Sequence, residues 1–476
     1  MMYRHVGTRA DGGTSGTDGR PSNLVTSVSI SAGPQLDPIS IFYSMRGQFP
    51  GETFLLESVE GTRKTSRYSF IGVDPISTFK STGETVEIDG WSRREKDPYE
   101  ALRAYSSSFN CGTSDIAPFS GGLVGYVGYG MVRYFEKIKE PNGSADGLPD
   151  MYFILPRHLV CVDHLNSQTL LITHGRMDEL KDALAKVRPA PPLDISIGEG
   201  QSNTSETRFC NMVSRAKECI QDGEVFQTVL SRRTDFRFEG DSLEMYRALR
   251  SLNPSPYLFH LDFGEVKLLG SSPEMLVRLE GDRLTTRPLA GTRPRAKDPE
   301  EDEKLKLEML LDEKERAEHL MLVDLHRNDM GRVSRFGTVK VNELMSVEKY
   351  SHVQHIVSNV ESRLDEGRDA FDALKACFPA GTVTGAPKVR AMDLISELEA
   401  APRGPYAGTV GYFDFTGNMD FGINIRSIVV SGNKASVQAG AGIVSDSVPE
   451  REYAETEHKM GAMLEAISAS GGGKNR

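Results

Sequence analysis

Cysteine is scarce. Cys111, Cys161, Cys210, Cys219 and Cys377 are the only five in 476 residues, odd in number and without a C-x-x-C pair. Such scatter excludes a disulfide framework and a cysteine-rich zinc site, and points to reduced thiols in the cytoplasm. Long apolar runs are missing too: nothing approaches the ~18 residues of a membrane span. Residues 1–23 are polar, lack the apolar segment of a signal peptide, and read as a disordered tail. Basic runs are absent and the net charge is −11, which argues against nucleic acid or membrane as a partner. An acidic chain that binds an anion must therefore concentrate its cations locally. No internal repeat is visible.

What is present has a globular balance, 38% hydrophobic and 26% charged. The length allows roughly two to four domains. The first half is strand-rich: 53–58 reads as an apolar strand ending in two polar groups, and 152–163 with 167–173 as a hairpin. Glycines lace the strand at 119–126, where missing side chains permit another backbone to pack closely. Across 188–206 the sequence turns to Pro, Gly, Ser and Asn and periodicity vanishes. The expected division is a tail at 1–23, a strand-rich domain at 24–190, a linker at 191–206 and a second domain at 207–470. That second domain opens with a helix in which Phe209, Met212, Val213, Ala216 and Ile220 share a face. A single long charged helix is expected over 298–326, and three antiparallel strands over 409–439. The last helix is expected from Ser447, with Glu450 completing a capping box and Pro449 in the first turn.

Chemistry concentrates in the second half. The stretch 379–392, PAGTVTGAPKVRAM, is free of acids, dense in hydroxyls and ends in the cations Lys388 and Arg390. Gly381 and Gly385 permit sharp turning, and Pro387 suits the start of a helix whose free N–H groups would face a carboxylate or phosphate. A tight connecting loop is the plainer reading. A second Gly turn lies within Arg287–Arg295, a third is Gly440-Ala441-Gly442, and Arg426 stands at a strand end. Three Gly turns with nearby cations fit a small dianion held largely by backbone. Glu318 lies on the long helix, while Glu452, Glu455 and Lys459 share a face of the last one. Carboxylates from two helices would suit Mg²⁺, which takes few protein ligands and keeps several waters; surface salt bridging is the plainer reading, since charged helices usually face solvent. His355, alternating with apolar neighbours, is either a core histidine or a proton carrier. Glu274, in a turn after Ser272-Pro273, caps that turn or, if buried, serves as an acid.

Together these residues resemble the chorismate-utilising enzymes, and within them the anthranilate synthase branch. The likeness runs almost continuously from Phe226 to Lys459. It includes Arg287–Arg295, residues 317–325 (AEHLMLVDL), Arg327-Asn328-Asp329, 379–392 and 438–442 (QAGAG). It implies a mixed α/β fold, a large antiparallel-sheet sandwich flanked by helices around a deep cleft. It also implies conversion of chorismate and ammonia to anthranilate and pyruvate. By the same resemblance Mg²⁺ is held by Glu318 and Glu455. Substrate falls to Gln227, Gly291, Thr292, Tyr406, Arg426, Gly440, Ala441, Gly442 and Lys459. Glu274 matches the acid that assists the departing hydroxyl, and His355, near Thr382, the residue that handles the proton of elimination.

Two positions separate siblings. Gln227 stands where isochorismate and salicylate synthases carry a water-activating Lys. Ala290 stands where aminodeoxychorismate synthases have a Lys that can attack the ring. Leu55-Leu56-Glu57-Ser58 and Asn253-Pro254-Ser255-Pro256-Tyr257-Leu258 match the segments of the tryptophan feedback site. Glu57, Ser58, Pro256, Tyr257 and Leu258 are its expected contacts. No cysteine lies in the Gly-x-Cys-x-Gly turn of a glutamine amidotransferase, so a partner subunit supplying ammonia is implied, in a heterodimer or heterotetramer. Aminodeoxychorismate synthase component I is the sibling alternative, and a non-catalytic tryptophan-sensing subunit the alternative of another class.

Overall fold

A computed structural model of the chain describes residues 3–7, 23–32, 36–58, 67–111, 116–139, 147–350 and 353–471. Its described strands, apart from one short parallel pair, join a single network of 24 strands. Pairing within that network is antiparallel, and helices pack on it, as the resemblance implied. In the first half, Tyr68–Thr82 runs against Met151–Asp163 for nearly its whole length. Met151–Asp163 is buried at almost every position, as a strand covered on both faces must be. In the second half the long strand Gln227–Gly240 lies against Lys434–Ile443.

Two strand pairs cross the boundary expected near residue 190. Thr53–Glu57 pairs with Tyr257–Phe263, and Gly122–Val127 with Thr409–Asp414. One apolar core likewise unites Phe79, Leu102 and Phe153 with Leu374, Phe413 and Phe421. The glycine-laced strand does what its composition suggested. A Cβ on Gly122 would fall 2.0 Å from Phe413 O, and one on Gly125 would fall 1.9 Å from Tyr152 O.

Local expectations differ from the structure in six places. The three strands expected over 409–439 are four, Thr409–Asp414, Met419–Ile423, Ser427–Ser431 and Lys434–Ile443, because the chain leaves the ladder around Arg426 at φ +50°. Gly440-Ala441-Gly442, expected as a turn, lies within Lys434–Ile443 and pairs with Val229–Ser231. Tyr3–Gly7, expected within a disordered tail, pairs with Ser27–Ala32. That strand has Gln168–Thr173 on its other side, and an open edge invites a further strand. Most of the remaining tail lies outside the described residues. Within the expected linker, Ile195–Ile197 and Gln201–Ser202 pair with Gln227–Gly240. The single helix expected over 298–326 is two, Pro299–Leu311 and Glu313–Gly331. Asp312 between them is extended, at ψ 113°, and its carboxylate accepts from the N–H groups of Lys314 and Glu315 at 2.9 and 3.2 Å. An Asp that caps a helix competes with continuing one, and the signal in the apolar spacing is the charged gap over 312–316. Finally, Ser447 does not cap the last helix, Pro449–Gly471; its hydroxyl accepts from Val444 N at 3.1 Å. The five cysteines, all among the described residues, form no disulfide. No helix among the described residues is long and apolar enough to cross a membrane.

Candidate active site

A cavity of about 800 Å³ opens where the strands of the second half meet the helices Glu313–Gly331 and Pro449–Gly471. One wall is glycine. Gly291 is the extra residue of a bulge: Ala290 pairs with Ile356 and Thr292 with His355, leaving Gly291 unpaired at φ +61°. The bulge brings Gly291 O to 2.9 Å from His355 Nδ1, with Thr292 Oγ1 at 3.1 Å. A carbonyl only accepts, so Nδ1 carries the proton and Nε2 of the neutral ring is the free base. Burial lowers the His355 pKa to about 4, with Arg426 adding to the shift and Gly291 O opposing it.

Glu274 faces the same cavity and is 4% exposed. Burial raises its pKa to about 8; the Thr382 hydroxyl and the charges of Arg426 and Lys459 only partly offset this. Glu274 Oε1 and Thr382 Oγ1 are buried and make no hydrogen bond of ordinary geometry among the described residues. A carboxyl held neutral near pH 7 is a proton donor in waiting.

The cations sort themselves. Arg287 pairs with Glu348, Arg293 with Glu315, and Arg295 with Asp302. Lys388 and Arg390, the cations that ended the 379–392 stretch, point elsewhere: Lys388 meets Asp329 at 2.6 Å and Arg390 meets Glu224 at 2.6 Å. Neither lines the cavity, although Thr382 and Val383 of that stretch do. The helix there starts at Lys388, with Pro387 as its cap. Arg426 remains, its guanidinium without an ion pair among the described residues and its pKa lowered by burial. Its backbone sits at φ +50°, and its carbonyl accepts from Ser271 N at 3.1 Å.

Opposite lies the acidic side. Gln227 donates from Nε2 to Glu318 Oε1 at 3.3 Å, and a Cβ on Gly442 would fall 2.7 Å from that amide nitrogen. Lys459 bridges Glu455, at 2.7 Å, and Gly440 O, at 3.0 Å. A Cβ on Gly440 would come within 3.0 Å of the Tyr406 hydroxyl. Ala441 is the exception among the residues the resemblance assigned to substrate: its methyl is buried with Phe209 and Leu230, away from the cavity, because alternate strand residues face opposite sides. Glu315, and Glu452 beside Glu455, also line the cavity. Burial raises the pKa of Glu318 and of Glu452. Glu315 had no signal of its own; only its spacing of three from Glu318 on a helix could have suggested it.

The two segments expected to form an inhibitor site do meet. Leu258 is the register partner of Glu57. Glu57 is buried and accepts from Tyr246 Oη at 2.6 Å and Arg250 Nε at 2.9 Å. Tyr257 Oη donates to Asp420 at 2.8 Å, and Pro256 and Tyr257 line a small cavity of about 20 Å³ with Arg278 and Arg287. Just upstream, Asn253, Pro254 and Ser255 line the large cavity. Ser271, whose hydroxyl donates to Asn253 O, ties that turn to the residue pair Ser271–Arg426.

Residues 51–465 match the family model described as chorismate binding enzyme. The chain is 46% identical over 444 residues to the anthranilate synthase component 1 of Methanothermobacter thermautotrophicus, spanning 92% of this chain and 93% of that one. It is 45% identical over 448 residues to the protein of the same name from Thermus thermophilus, spanning 92% and 96%. The crystal structure of anthranilate synthase component I from Streptococcus pneumoniae superposes with a TM-score of 0.75 at 38% identity, covering 84% of this chain and 92% of that one. The menaquinone-specific isochorismate synthase of Escherichia coli shares the fold, with a TM-score of 0.72 at 22% identity over 95% and 96% of the two chains. A match over most of the sequence and likeness sustained along whole relatives place the chain in the chorismate-binding enzyme family.

Proposed function

We infer that this chain is the large subunit of anthranilate synthase, converting chorismate and ammonia to anthranilate and pyruvate. The observation that carries the reading is the pairing, across one cavity, of a neutral Glu274 with an unpaired Arg426 on one side and carboxylates of two helices on the other. Arg426 and the Gly440–Gly442 backbone hold the enolpyruvyl carboxylate. Ammonia adds at ring carbon 2 as Glu274 gives its proton to the departing carbon-4 hydroxyl. His355, with Nε2 free, handles the proton of the pyruvate elimination. Gln227, an amide, cannot activate water as a base, and Ala290 cannot attack the ring, so an amine nucleophile is favoured. Cysteines outside any disulfide fit a cytoplasmic enzyme.

Glu318 and Glu455 are the residues that would hold Mg²⁺. Among the described residues no three acidic, His or Cys groups converge on one point. Carboxylates in pairs, two of them strained by burial, suit a hard cation that keeps water and substrate oxygens. When bound, the ion supplies a template and a Lewis acid for the ring carboxylate. Glu318→Gln is expected to abolish Mg²⁺-dependent turnover; unchanged turnover removes this assignment.

Ammonia comes from a glutamine amidotransferase subunit, and L-tryptophan inhibits by binding between Glu57-Ser58 and Pro256–Leu258. The short path from that segment through Asn253 and Ser271 to Arg426 supports such coupling. The test is fluorescence of product from purified chain, chorismate, Mg²⁺ and ammonium, with and without tryptophan. Anthranilate that tryptophan suppresses is the expected result. Chorismate consumed without anthranilate overturns the reading in favour of a sibling activity.

A further inference from the structure

Behind the cavity wall lies an ion pair that the chemistry above does not use. Arg403 and Glu399 have side chains 1% and 6% exposed. Arg403 donates from Nε to Glu399 Oε2 at 2.9 Å and from Nη2 to Oε1 at 2.6 Å. Its remaining donors reach two backbone carbonyls, Val383 O from Nη1 and Val229 O from Nη2, each at 2.7 Å. The guanidinium lies 4.7 Å from the centre of the Tyr129 ring and 5.7 Å from that of Tyr406. Arg403 O accepts from Tyr406 N at 3.3 Å. On the other side, Glu399 Oε1 accepts from Ser231 N and Oγ, both at 2.8 Å, and Gln438 donates to Ser231 Oγ at 2.8 Å.

Apart from Tyr129, what this pair grips belongs to elements that line the cavity: Val229 and Gln438 on two strands, Val383 beside Thr382 in the turn Gly381–Val383, and Tyr406. The Val229 strand already meets this turn through Val229 N–H to Thr384 O, at 2.8 Å, and through the pairing of Thr228 with Gly385; the guanidinium adds a bond to Val383 O and joins both to the loop that carries Tyr406. A buried charge pair is weak evidence of net stabilisation, because desolvation opposes its attraction. Its geometric use is stronger: a planar guanidinium presents donors in fixed directions and locks what it touches.

We propose that Arg403, oriented by Glu399, is a positioning residue for the chorismate reaction: it holds the Thr382-Val383 turn, the Val229 strand and Tyr406 in one arrangement, so that the Thr382 hydroxyl stays against Glu274. This rests on the chorismate-aminating reading above. Among the described residues neither Arg426 nor Lys459 hydrogen-bonds to Arg403 or Glu399, so the ionic part of chorismate binding depends on the pair less than turnover does, although Tyr406 is held by it. Misplacing a reacting group by an ångström costs on the order of a hundredfold in rate.

The test compares wild type, Arg403→Lys and Glu399→Gln with chorismate, Mg²⁺ and ammonium, measuring kcat, chorismate KM and the thermal midpoint. A lysine keeps the charge but loses the fork. The expected result for Arg403→Lys is a kcat at least tenfold lower with KM changed less than threefold. Lower thermal stability with kcat within twofold of wild type makes the pair merely structural and overturns the proposal. Should Arg403→Lys not fold, Glu399→Gln decides: it keeps shape and an oxygen for Ser231, and a threefold or larger loss of kcat is expected, while wild-type kcat overturns the proposal. Wild type that makes no anthranilate marks failure of the functional reading itself, which is distinct from either result.

Discussion

Glu57 and Glu274 are both buried carboxylates, one at the seam between the two halves and one in the cavity. Glu57 is saturated: Tyr246 and Arg250 donate to both its oxygens, at 2.6 to 3.0 Å. Glu274 has an oxygen with no donor, and its pKa climbs to about 8. Burial alone therefore does not tell what a carboxylate is for. A satisfied one is a fixed negative charge that joins segments; an unsatisfied one stores a proton.

The largest expected effect breaks the cavity side of this comparison. Glu274→Gln removes the proton donor and should lower kcat by about 10³ while leaving the thermal midpoint near or above wild type, checked by steady-state kinetics and calorimetry. Titration sharpens it. With ammonia saturating, kcat should fall as pH rises through about 8, when Glu274 loses its proton, and on the acid side near 4, when His355 gains one. Stability follows the same groups. Between the ordinary Glu value of 4.5 and about 8, folded Glu274 keeps a proton that the unfolded chain has lost. Stability should thus decline with pH across that window and level off above it, and Glu274→Gln should flatten the decline in denaturant titrations.

On the seam side, Glu57→Gln leaves Arg250 facing an amide. Arg250 is 28% exposed, so the cost should be about 2 kcal/mol, below that of a fully buried orphan charge, and measurable by urea unfolding. The smallest change is Ser58→Phe, which should relieve inhibition by tryptophan while keeping kcat within about twofold of wild type. Inhibition retained at full strength would return the seam to a purely structural role.

Much of this was legible before any coordinates. Glycines at 122, 125, 291, 440 and 442 marked places where a backbone or a polar group comes close, and each glycine meets such a neighbour. Glu274 in its turn, His355 on its strand and the carboxylates on two helices line one cavity. Local pattern suffices where the requirement is local: a missing Cβ, a helical spacing of three or four, a strand that alternates.

The tertiary structure decided which way each group faces and what it meets. Lys388 and Arg390 follow Thr382 closely in sequence, yet they turn to Asp329 and Glu224 while the threonine enters the cavity. Asp312 ended one helix and capped the next where a single charged helix was expected. Arg403 gave no hint that it would grip Val229, 174 positions away. The reason is the same in each case. Sequence spacing fixes neighbours along one element, whereas the partner across a cavity depends on the register of strands far apart in the chain. A buried charge takes whichever partner that register brings within reach, because leaving it unpaired costs more than any local preference.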